Sequence, residues 1–449
     1  MQHEISDHDK KFIFWASFLS LAAASTGFVY RVMSLGTWAK EFEISFLEVG
    51  RIFGASLWPI AITMIIGSLL IVAIGHKKGL YGAFILQAAS VFLTAFADSP
   101  RDLWWGAFCA GLGHGFVEAV INPVCATIYP KEKTKMLAIL HAAWPAGMVG
   151  GGILMLLPGL DELHWTVSAY WMLIPVIVYG VMLWKPTFPI DERVAANVSY
   201  RDMLKEAGFL SAFLASFLMF YELYRQLTGS EPASLLWTSL AVGLVIGIGF
   251  GLYTRSVGKV LYFFLCVLMI PLATTELGTD AWIKELMTPS MGAYAGWAIV
   301  LSAFIMMILR FQAGHLTKRF SAPTILVISS FFSLCGLMTL SVSSGLVVIL
   351  AFVLYAVGQT FYWPAVLGFA SEQYPRGGAL TLNTVSAIGL LAVGILGTPI
   401  MGAFHDNHTT NNVKAMSTEI HAAARTDGTF FGKTYESIDR AKAEELATA

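Results

Sequence analysis

The chain has 449 residues, 56% of them hydrophobic and only 13% charged, whereas roughly 25% of residues are charged in an average soluble domain. Its 28 basic and 29 acidic residues give a net charge of −1, which excludes the strongly basic surface of a nucleic-acid-binding protein. This composition indicates an all-α polytopic membrane protein.

The N-terminal segment MQHEISDHDKKFIFW is polar and mixes acidic with basic side chains. It lacks the pattern of a cleavable signal peptide, so we expect the first apolar run to stay in the protein as a membrane anchor. The four cysteines lie within apolar runs and show neither disulfide nor zinc-ligand spacing, which favours a packing role.

The first part of the chain contains six apolar runs, each near the length of about 20 residues that a helix needs to cross the bilayer core. The predicted helices are 12–33, 52–75, 79–97, 103–129, 137–158 and 165–184. Together they predict an N-terminal six-helix bundle over residues 1–185.

A polar stretch, KPTFPIDERVAANVSYRDMLKEAG, follows this bundle. Region 186–258 is predicted to hold a cytoplasmic linker and two extra transmembrane helices, 209–226 and 234–253, which we expect to lie outside the bundles. Region 259–404 is predicted as a C-terminal bundle with five visible helices: 259–277, 291–314, 323–342, 346–372 and 380–404. Because the tail 405–449 is polar, this bundle is expected to lack its last helix, and thirteen spans place the tail on the face opposite the N-terminus.

Basic side chains cluster at the N-terminus and on alternate predicted loops, for example at Lys10, Lys77, Lys131 and Lys318. The loops between them are poorer in lysine and arginine. By the positive-inside rule this asymmetry places the N-terminus in the cytoplasm, and we expect a multi-pass protein of the cell inner membrane.

The two halves of the chain carry an internal repeat. GHGFVEAVINPVCATIYP from Gly113 aligns with GQTFYWPAVLGFASEQYP from Gly358 at an offset of 245 residues. Two halves in the same orientation predict parallel repeats related by a pseudo-twofold axis along the membrane normal. Chance similarity between apolar helices is the alternative, and the cytoplasmic position of both matching loops speaks against it.

Three segments resemble a known family: GLGHGFVEAVINPVCATIYPKEKTKMLAILHAAWPAG from Gly111, ATTELGTDAW from Ala273 and RFQAGHLTKRFSAP from Arg310. The chain resembles the major facilitator superfamily, and more narrowly its fucose/glucose–proton symporter branch. The resemblance implies two six-helix bundles around a central cavity and transport by alternating access. Glu118 matches the acidic residue of this branch in the fourth helix.

Two departures from the family pattern are visible. The loop after the second helix usually carries an aspartate, but GSLLIVAIGHKK keeps only Gly67 and the basic end. The branch also carries a carboxylate late in the first helix, where this chain has Arg31 and Val32.

His114, Glu118 and Asn122 are spaced four apart, so they share one face of a helix. An ionisable group inside a membrane costs roughly 2.5–3.5 kcal/mol on insertion scales, and such a group usually faces a wet cavity. We therefore predict that Glu118 binds a proton or substrate hydroxyls. The alternative is a glutamate fixed in one structural salt bridge. A metal site is not indicated, because no third ligand is placed beside His114 and Glu118.

In the repeat, His114 corresponds to Gln359 and Glu118 corresponds to Trp363. An aromatic face beside an amide suits a sugar, whose C–H face stacks on the ring while its hydroxyls form hydrogen bonds. The alternative is an aromatic helix that packs against lipid or neighbouring helices.

Two acids four residues apart, Glu276 and Asp280, also share a helical face. Arg31 is the candidate cation that would reduce the cost of burying either of them. The alternative is a solvated helix end at the membrane surface. His141 and Trp144 open the fifth helix and are expected to line the cavity.

These features predict a secondary active transporter of a small polar solute, most simply a sugar, with proton coupling through Glu118 as a hypothesis. Its expected partners are the solute, protons and the lipid bilayer, with no nucleic acid, no cofactor and no metal, in a monomer. The glycine-rich PAGMVGGGIL lacks the lysine of a phosphate-binding loop, and without a catalytic set an enzyme is not expected. The alternative is a membrane sensor that binds a solute without transporting it.

Overall fold

A computed structural model describes residues 5–44, 46–157, 159–160, 162–190, 192–281, 283, 287, 291–343, 346–430 and 433–448. Within these ranges, twelve helices are long and apolar enough to cross a membrane. The prediction of an all-α polytopic membrane protein is therefore confirmed. A thirteenth predicted span, 291–314, corresponds to the shorter apolar helix Gly296–Phe311.

The first bundle has six helices with these bounds: α1 Asp7–Glu41; α2 Phe46–Gly54 continued by Trp58–Ile74; α3 His76–Ala95; α4 Pro100–Ile128; α5 Lys133–His141 continued by Ala143–Leu156; and α6 Trp165–Ala169 and Leu173–Met182, joined by the 3₁₀ turn Tyr170–Met172. Prolines mark the restarts of α2 and α5, since Pro59 and Pro145 stand near the first position of the second segment, where a missing N–H is tolerated.

The following helices are: α7 Tyr200–Thr228; α8 Leu235–Thr254; α9 Val260–Ala273, prolonged by the π turn Thr274–Gly278; α10 Gly296–Phe311; α11 Ala322–Val342; α12 Leu346–Gln359 continued by Tyr362–Gln373; and α13 Gly378–Ala392, prolonged by the π turn Val393–Gly397 and by Thr398–Met416. Short helical turns lie at Glu192–Ala195, Gly292–Ala295, Ala313–Thr317 and Pro375–Gly377.

The tail, which the sequence described only as polar, contains a small folded unit. Helix α14 (Thr418–Ala424) precedes the antiparallel strands β1 (Arg425–Phe430) and β2 (Lys433–Ile438), and α15 (Arg440–Thr448) follows. Arg425 pairs with Ile438 across the hairpin. Ala424, Ile438 and Ala443 form a small core, and Val413 near the end of α13 packs against it.

The two bundles meet through equivalent helices. The second helix of the first bundle, α2, packs on the fifth helix of the other, α13, while α5 packs on α10. Each half therefore presents its second and fifth helices to its partner, as a pseudo-twofold axis between parallel repeats requires. The central cavity described below lies between these contacts.

Helices α7 and α8 form a hairpin that packs mainly through α7, on α13 and α9. Only 22% of the apolar stretch of α8 is buried inside the protein. This packing agrees with the prediction that the two extra helices lie outside the bundles, while the boundaries 186–258 and 259–404 stay a prediction.

The hairpin depends on a glycine. Gly208 bends α7 with a φ of 54°, in the left-handed region, and Phe209 N–H donates to the carbonyl of Ser256 at 3.0 Å. A Cβ on Gly208 would lie 2.1 Å from the backbone nitrogen of Gly258. Both the conformation and the close approach therefore require glycine.

Candidate functional site

The predicted face of α4 forms a hydrogen-bonded seam inside the protein. Glu118 is 6% exposed and Asn122 is fully buried. Asn122 Nδ2 donates to Glu118 Oε2 at 2.7 Å, and His114 Nε2 lies 3.7 Å from Glu118 Oε1. The carboxylate is thus held by its two neighbours on the same helix.

Helix α5 completes this seam from the other side. His141 Nε2 lies 2.9 Å from Asn122 Oδ1, and the ring of Trp144 stacks on His114 with centroids 5.1 Å apart. Because Asn122 directs its amide hydrogens to Glu118, its oxygen faces His141 and can only accept. His141 therefore carries its proton on Nε2 in this arrangement.

The second half contributes an arginine that the sequence analysis did not place in the site. Arg310, at the end of α10, is 1% exposed. Its Nη2 donates to Glu276 Oε1 at 2.8 Å, its Nε donates to the carbonyl of Thr360 at 2.7 Å, and its Nη1 donates to the carbonyl of His141 at 2.9 Å. The last bond joins the two halves of the molecule.

Prolines explain why these carbonyls are available. A helical carbonyl normally accepts from the N–H four residues later, but residues 145 and 364 are prolines and have no N–H. The carbonyls of His141 and Thr360 are therefore left open for Arg310. In the same way Pro123 frees the carbonyl of Ala119, which accepts from Asn383 Nδ2 at 3.2 Å.

The predicted pairing of Arg31 with Glu276 or Asp280 is wrong. Glu276 pairs with Arg310, because the end of α10 brings that guanidinium beside the π turn of α9. Arg31 lies instead in a cavity enclosed by helices of the first bundle. An arginine within the apolar run GWAIVLSAFIMMILRF was the signal for the true partner, since charges in such runs are rare.

Asp280 and Gln359 form a second polar layer. Gln359 Nε2 donates to Asp280 Oδ1 at 3.0 Å and to Ser302 Oγ at 3.1 Å. Asp280 is 5% exposed, so it is not a solvated helix end. It also lines a larger cavity, with about 1230 Å³ of empty space, between the halves on the face opposite the N-terminus.

The central cavity itself has about 390 Å³ of empty space. Six of the predicted site residues line it: His114, Glu118, His141, Trp144, Glu276 and Trp363. Arg310, Leu277 and Leu390 complete the lining. Asn122 and Gln359 support this lining through hydrogen bonds and belong to the layer behind it.

On the face that carries the N-terminus, the two halves are in contact. Lys133 Nζ donates to the carbonyl of Ser371 at 3.3 Å, and Thr134 Oγ1 donates to Glu372. The start of α5 therefore packs against the end of α12. This contact closes the central cavity toward the N-terminal face, while the wider cavity at Asp280 lies toward the opposite face.

Comparison with known proteins identifies the fold. The profile of the Major Facilitator Superfamily matches residues 13–278. A gentisate transporter of Corynebacterium glutamicum is 26% identical over 178 residues, which cover 38% of this chain and 39% of that relative. The match thus spans well under half the length of this relative.

Solved structures match over most of the chain. The fucose:proton symporter of Escherichia coli aligns with a TM-score of 0.62 at 14% identity, covering 89% of this chain and 92% of that one. A proton:xylose symporter aligns with a TM-score of 0.63 at 14% identity, covering 89% of each chain. A human organic anion transporter aligns with a TM-score of 0.59 at 12% identity, covering 88% of this chain and 93% of that one. At such identities the similarity shows the shared fold.

Proposed function

Because the chain belongs to the Major Facilitator Superfamily, we propose that it is a secondary active transporter that moves a small polar solute by alternating access. The observation that carries the proposal is the buried cavity between the halves, which joins Glu118 of one half to the Glu276–Arg310 pair of the other. A structural cavity with no solute would not need three charged side chains, since each is costly inside a membrane.

The lining supports a hydroxylated ring as the solute, most simply a sugar. Trp144 and Trp363 offer apolar ring surfaces, while His114 and Glu118 offer polar atoms. Since Arg310 is paired with Glu276, its charge is compensated and Glu118 gives the lining its net charge. A neutral solute with several hydroxyls can satisfy such a carboxylate through hydrogen bonds.

The same arrangement supports proton coupling through Glu118. Glu118 lies beside His114 and is connected to His141 through Asn122. A carboxylate between two imidazoles can receive and pass on a proton when the cavity opens to water. Protonation removes the net charge of the lining, so solute and proton would share one site.

A hydroxylated aromatic acid is a second candidate solute. The similar protein of Corynebacterium glutamicum is named a gentisate transporter, and it matches 38% of this chain. Two tryptophans and two histidines around the cavity also suit an aromatic ring.

Uptake by the full chain in sealed vesicles tests the proposal. We expect accumulation of one member of a panel of sugars and hydroxybenzoates when a proton gradient is imposed, and its loss when the gradient is collapsed. A protein that binds a panel member but never accumulates it would instead be the membrane sensor considered from the sequence. Accumulation that ignores the proton gradient would remove the proton from the proposal.

A further inference from the structure

A buried arginine without a partner lies outside the central cavity. Arg31, in α1, is 5% exposed. Neither its Nε nor its Nη1 has a hydrogen-bond partner, and no ion pair connects it to another residue in the described part of the chain. An uncompensated guanidinium in such surroundings costs several kcal/mol unless a counter-charge or water reaches it.

The cavity around Arg31, which we call the Arg31 chamber, is a narrow space inside the first bundle. It is lined by residues of α1, α2, α3, α4 and α6, and the lining contains no aspartate or glutamate among the described residues. Three neutral polar side chains face it: Ser56, Gln87 and Ser90.

The polar wall of the chamber is held in place. Gln87 Oε1 accepts from the hydroxyl of Tyr179 at 2.8 Å, and Gln87 Nε2 donates to the carbonyl of Ser20 at 3.4 Å. Ser56 Oγ donates to the carbonyl of Phe53 at 2.7 Å, so its oxygen keeps lone pairs available. These polar groups are therefore fixed in place, and they carry no negative charge that would balance the Arg31 guanidinium.

The chamber lies next to the proposed site. His114 lines both the Arg31 chamber and the central cavity, and its ring is stacked on Trp144. A solute bound against this stacked pair would have one end within reach of the chamber. His114 therefore separates the aromatic lining of the central cavity from the unpaired Arg31 guanidinium.

We propose that the Arg31 chamber is an anion subsite that binds the carboxylate of the transported solute, so that the solute is a hydroxylated organic acid. This inference rests on the proposed function and specifies its substrate class. A guanidinium binds a carboxylate through two parallel N–H···O bonds, either from Nε and Nη2 or from Nη1 and Nη2. Because neither Nε nor Nη1 of Arg31 has a partner, each of these two pairs contains an unsatisfied donor. The ring and hydroxyls of the acid lie toward His114, Trp144 and the central cavity.

Gly27 limits the space beside the guanidinium. A Cβ at this position would lie 3.1 Å from Arg31 Nη2. Gly27→Ala therefore keeps the charge of Arg31 and crowds its end, whereas Arg31→Lys keeps the charge and loses the fork of donors. These two variants complement Arg31→Gln, which removes the charge.

Ligand-induced thermal stabilisation of the purified full chain tests the subsite without requiring transport. The probes are gluconate and gentisate, their neutral counterparts glucose and hydroquinone, and sodium chloride and phosphate as inorganic anions. We expect one of the two acids to stabilise the parent protein and its neutral counterpart to be at least about tenfold weaker. Arg31→Gln should lose that preference, and Arg31→Lys and Gly27→Ala should reduce it.

Four results would overturn the inference. The acid and its neutral counterpart could stabilise the parent equally, or Arg31→Gln could bind the acid as tightly as the parent does. Chloride or phosphate could reproduce the whole effect, in which case the chamber takes a free inorganic anion. If vesicles accumulate a neutral solute and Arg31→Gln leaves this uptake unchanged, the subsite is wrong while the proposed transport stands. If no solute is accumulated but the acid binds through Arg31, transport fails and the anion site stands.

Discussion

Two buried arginines, Arg310 and Arg31, differ in how many partners their guanidinium groups have. Arg310 has all three of its guanidinium nitrogens bonded, to Glu276 and to two carbonyls that prolines leave open. Among the described residues Arg31 has no acid in contact, and two of its nitrogens have no partner. The comparison indicates that a fully compensated charge fixes structure, whereas an uncompensated one is available to a ligand.

The partners of Arg310 also divide unequally between the halves. Glu276 and Thr360 belong to its own half, while the carbonyl of His141 belongs to the other. Separation of the halves around the cavity would therefore break one hydrogen bond and leave the ion pair intact. Such a bond to a charged group contributes about 1.5–3 kcal/mol, which conformational exchange can overcome.

The largest expected effect comes from breaking the compensated pair. Arg310→Met leaves Glu276 as a buried charge without a cation, and we expect a loss of about 3–5 kcal/mol of stability. Thermal melting of the purified protein, together with the yield of folded material, measures it. The double variant Glu276→Gln with Arg310→Met should recover most of the loss. A single variant that melts like the parent would show that the pair does not stabilise the fold.

Glu118 is an acid whose neighbours are an amide and an imidazole instead of an arginine. Glu118→Gln keeps the shape and most hydrogen bonds but removes the charge, so it should abolish accumulation against a gradient and keep solute exchange. Glu118→Ala should also weaken binding by roughly 1–3 kcal/mol, because Asn122 loses its acceptor. Accumulation and exchange are measured in the same vesicles. Normal accumulation by Glu118→Gln would leave Glu118 with a structural role alone.

Arg31→Met is the matched counterpart of Arg310→Met, and it should change the stability of the fold in the opposite direction. Replacing an unpaired buried cation by an apolar side chain of similar length removes a desolvation cost, so we expect a gain of about 1 kcal/mol in buffer without small carboxylates. The measurement is the melting temperature of both arginine variants side by side. A loss of stability as large as that of Arg310→Met would mean that Arg31 is compensated after all.

Asp280 should give a smaller effect than either arginine. Its Oδ1 accepts from the neutral amide of Gln359, and it has no ion pair with Arg310 at contact distance among the described residues. Asp280→Asn can keep this contact by rotating its amide, so we expect a change of about 0.5–1 kcal/mol in melting experiments. A loss of stability as large as that of Arg310→Met would show that Asp280 is coupled to the Arg310–Glu276 pair.

The smallest effect is expected in the inserted hairpin. Val245, in α8, is 70% exposed and faces away from the bundles. Val245→Cys should transport normally, and its reactivity toward a membrane-permeant thiol reagent should not change with solute. Protection of this cysteine by solute would contradict the position of α8 outside the cavity.

Helical spacing in the sequence predicted much of the site. His114, Glu118 and Asn122 were placed together because residues four apart share a face, and the structure keeps them together. Trp144 and His141 were expected to line the same cavity because they open the fifth helix. Local spacing suffices for such groups, since one helix fixes their relative positions.

The pairing of Glu276 with Arg310 could not be predicted in this way, because 34 residues separate them and only packing decides the contact. The sequence nevertheless contained a usable signal. A proline four residues after His141 and another four residues after Thr360 marked two open carbonyls, and an arginine inside an apolar run was the donor that could reach them. The folded tail was missed for a different reason, because the tail was judged by its polarity alone, although the residues of its small core lie close together in the sequence.

The last membrane helix has a mechanical consequence. Thr398–Met416 prolongs α13 as one helix, and at 1.5 Å per residue these 19 residues span about 28 Å. A tilt of α13 by about 10° would swing the far end of this rod, and the small unit attached to it, by about 5 Å. The end of the tail is therefore displaced farther than α13 itself when the second half tilts. A spin label on the tail would report which way the cavity faces.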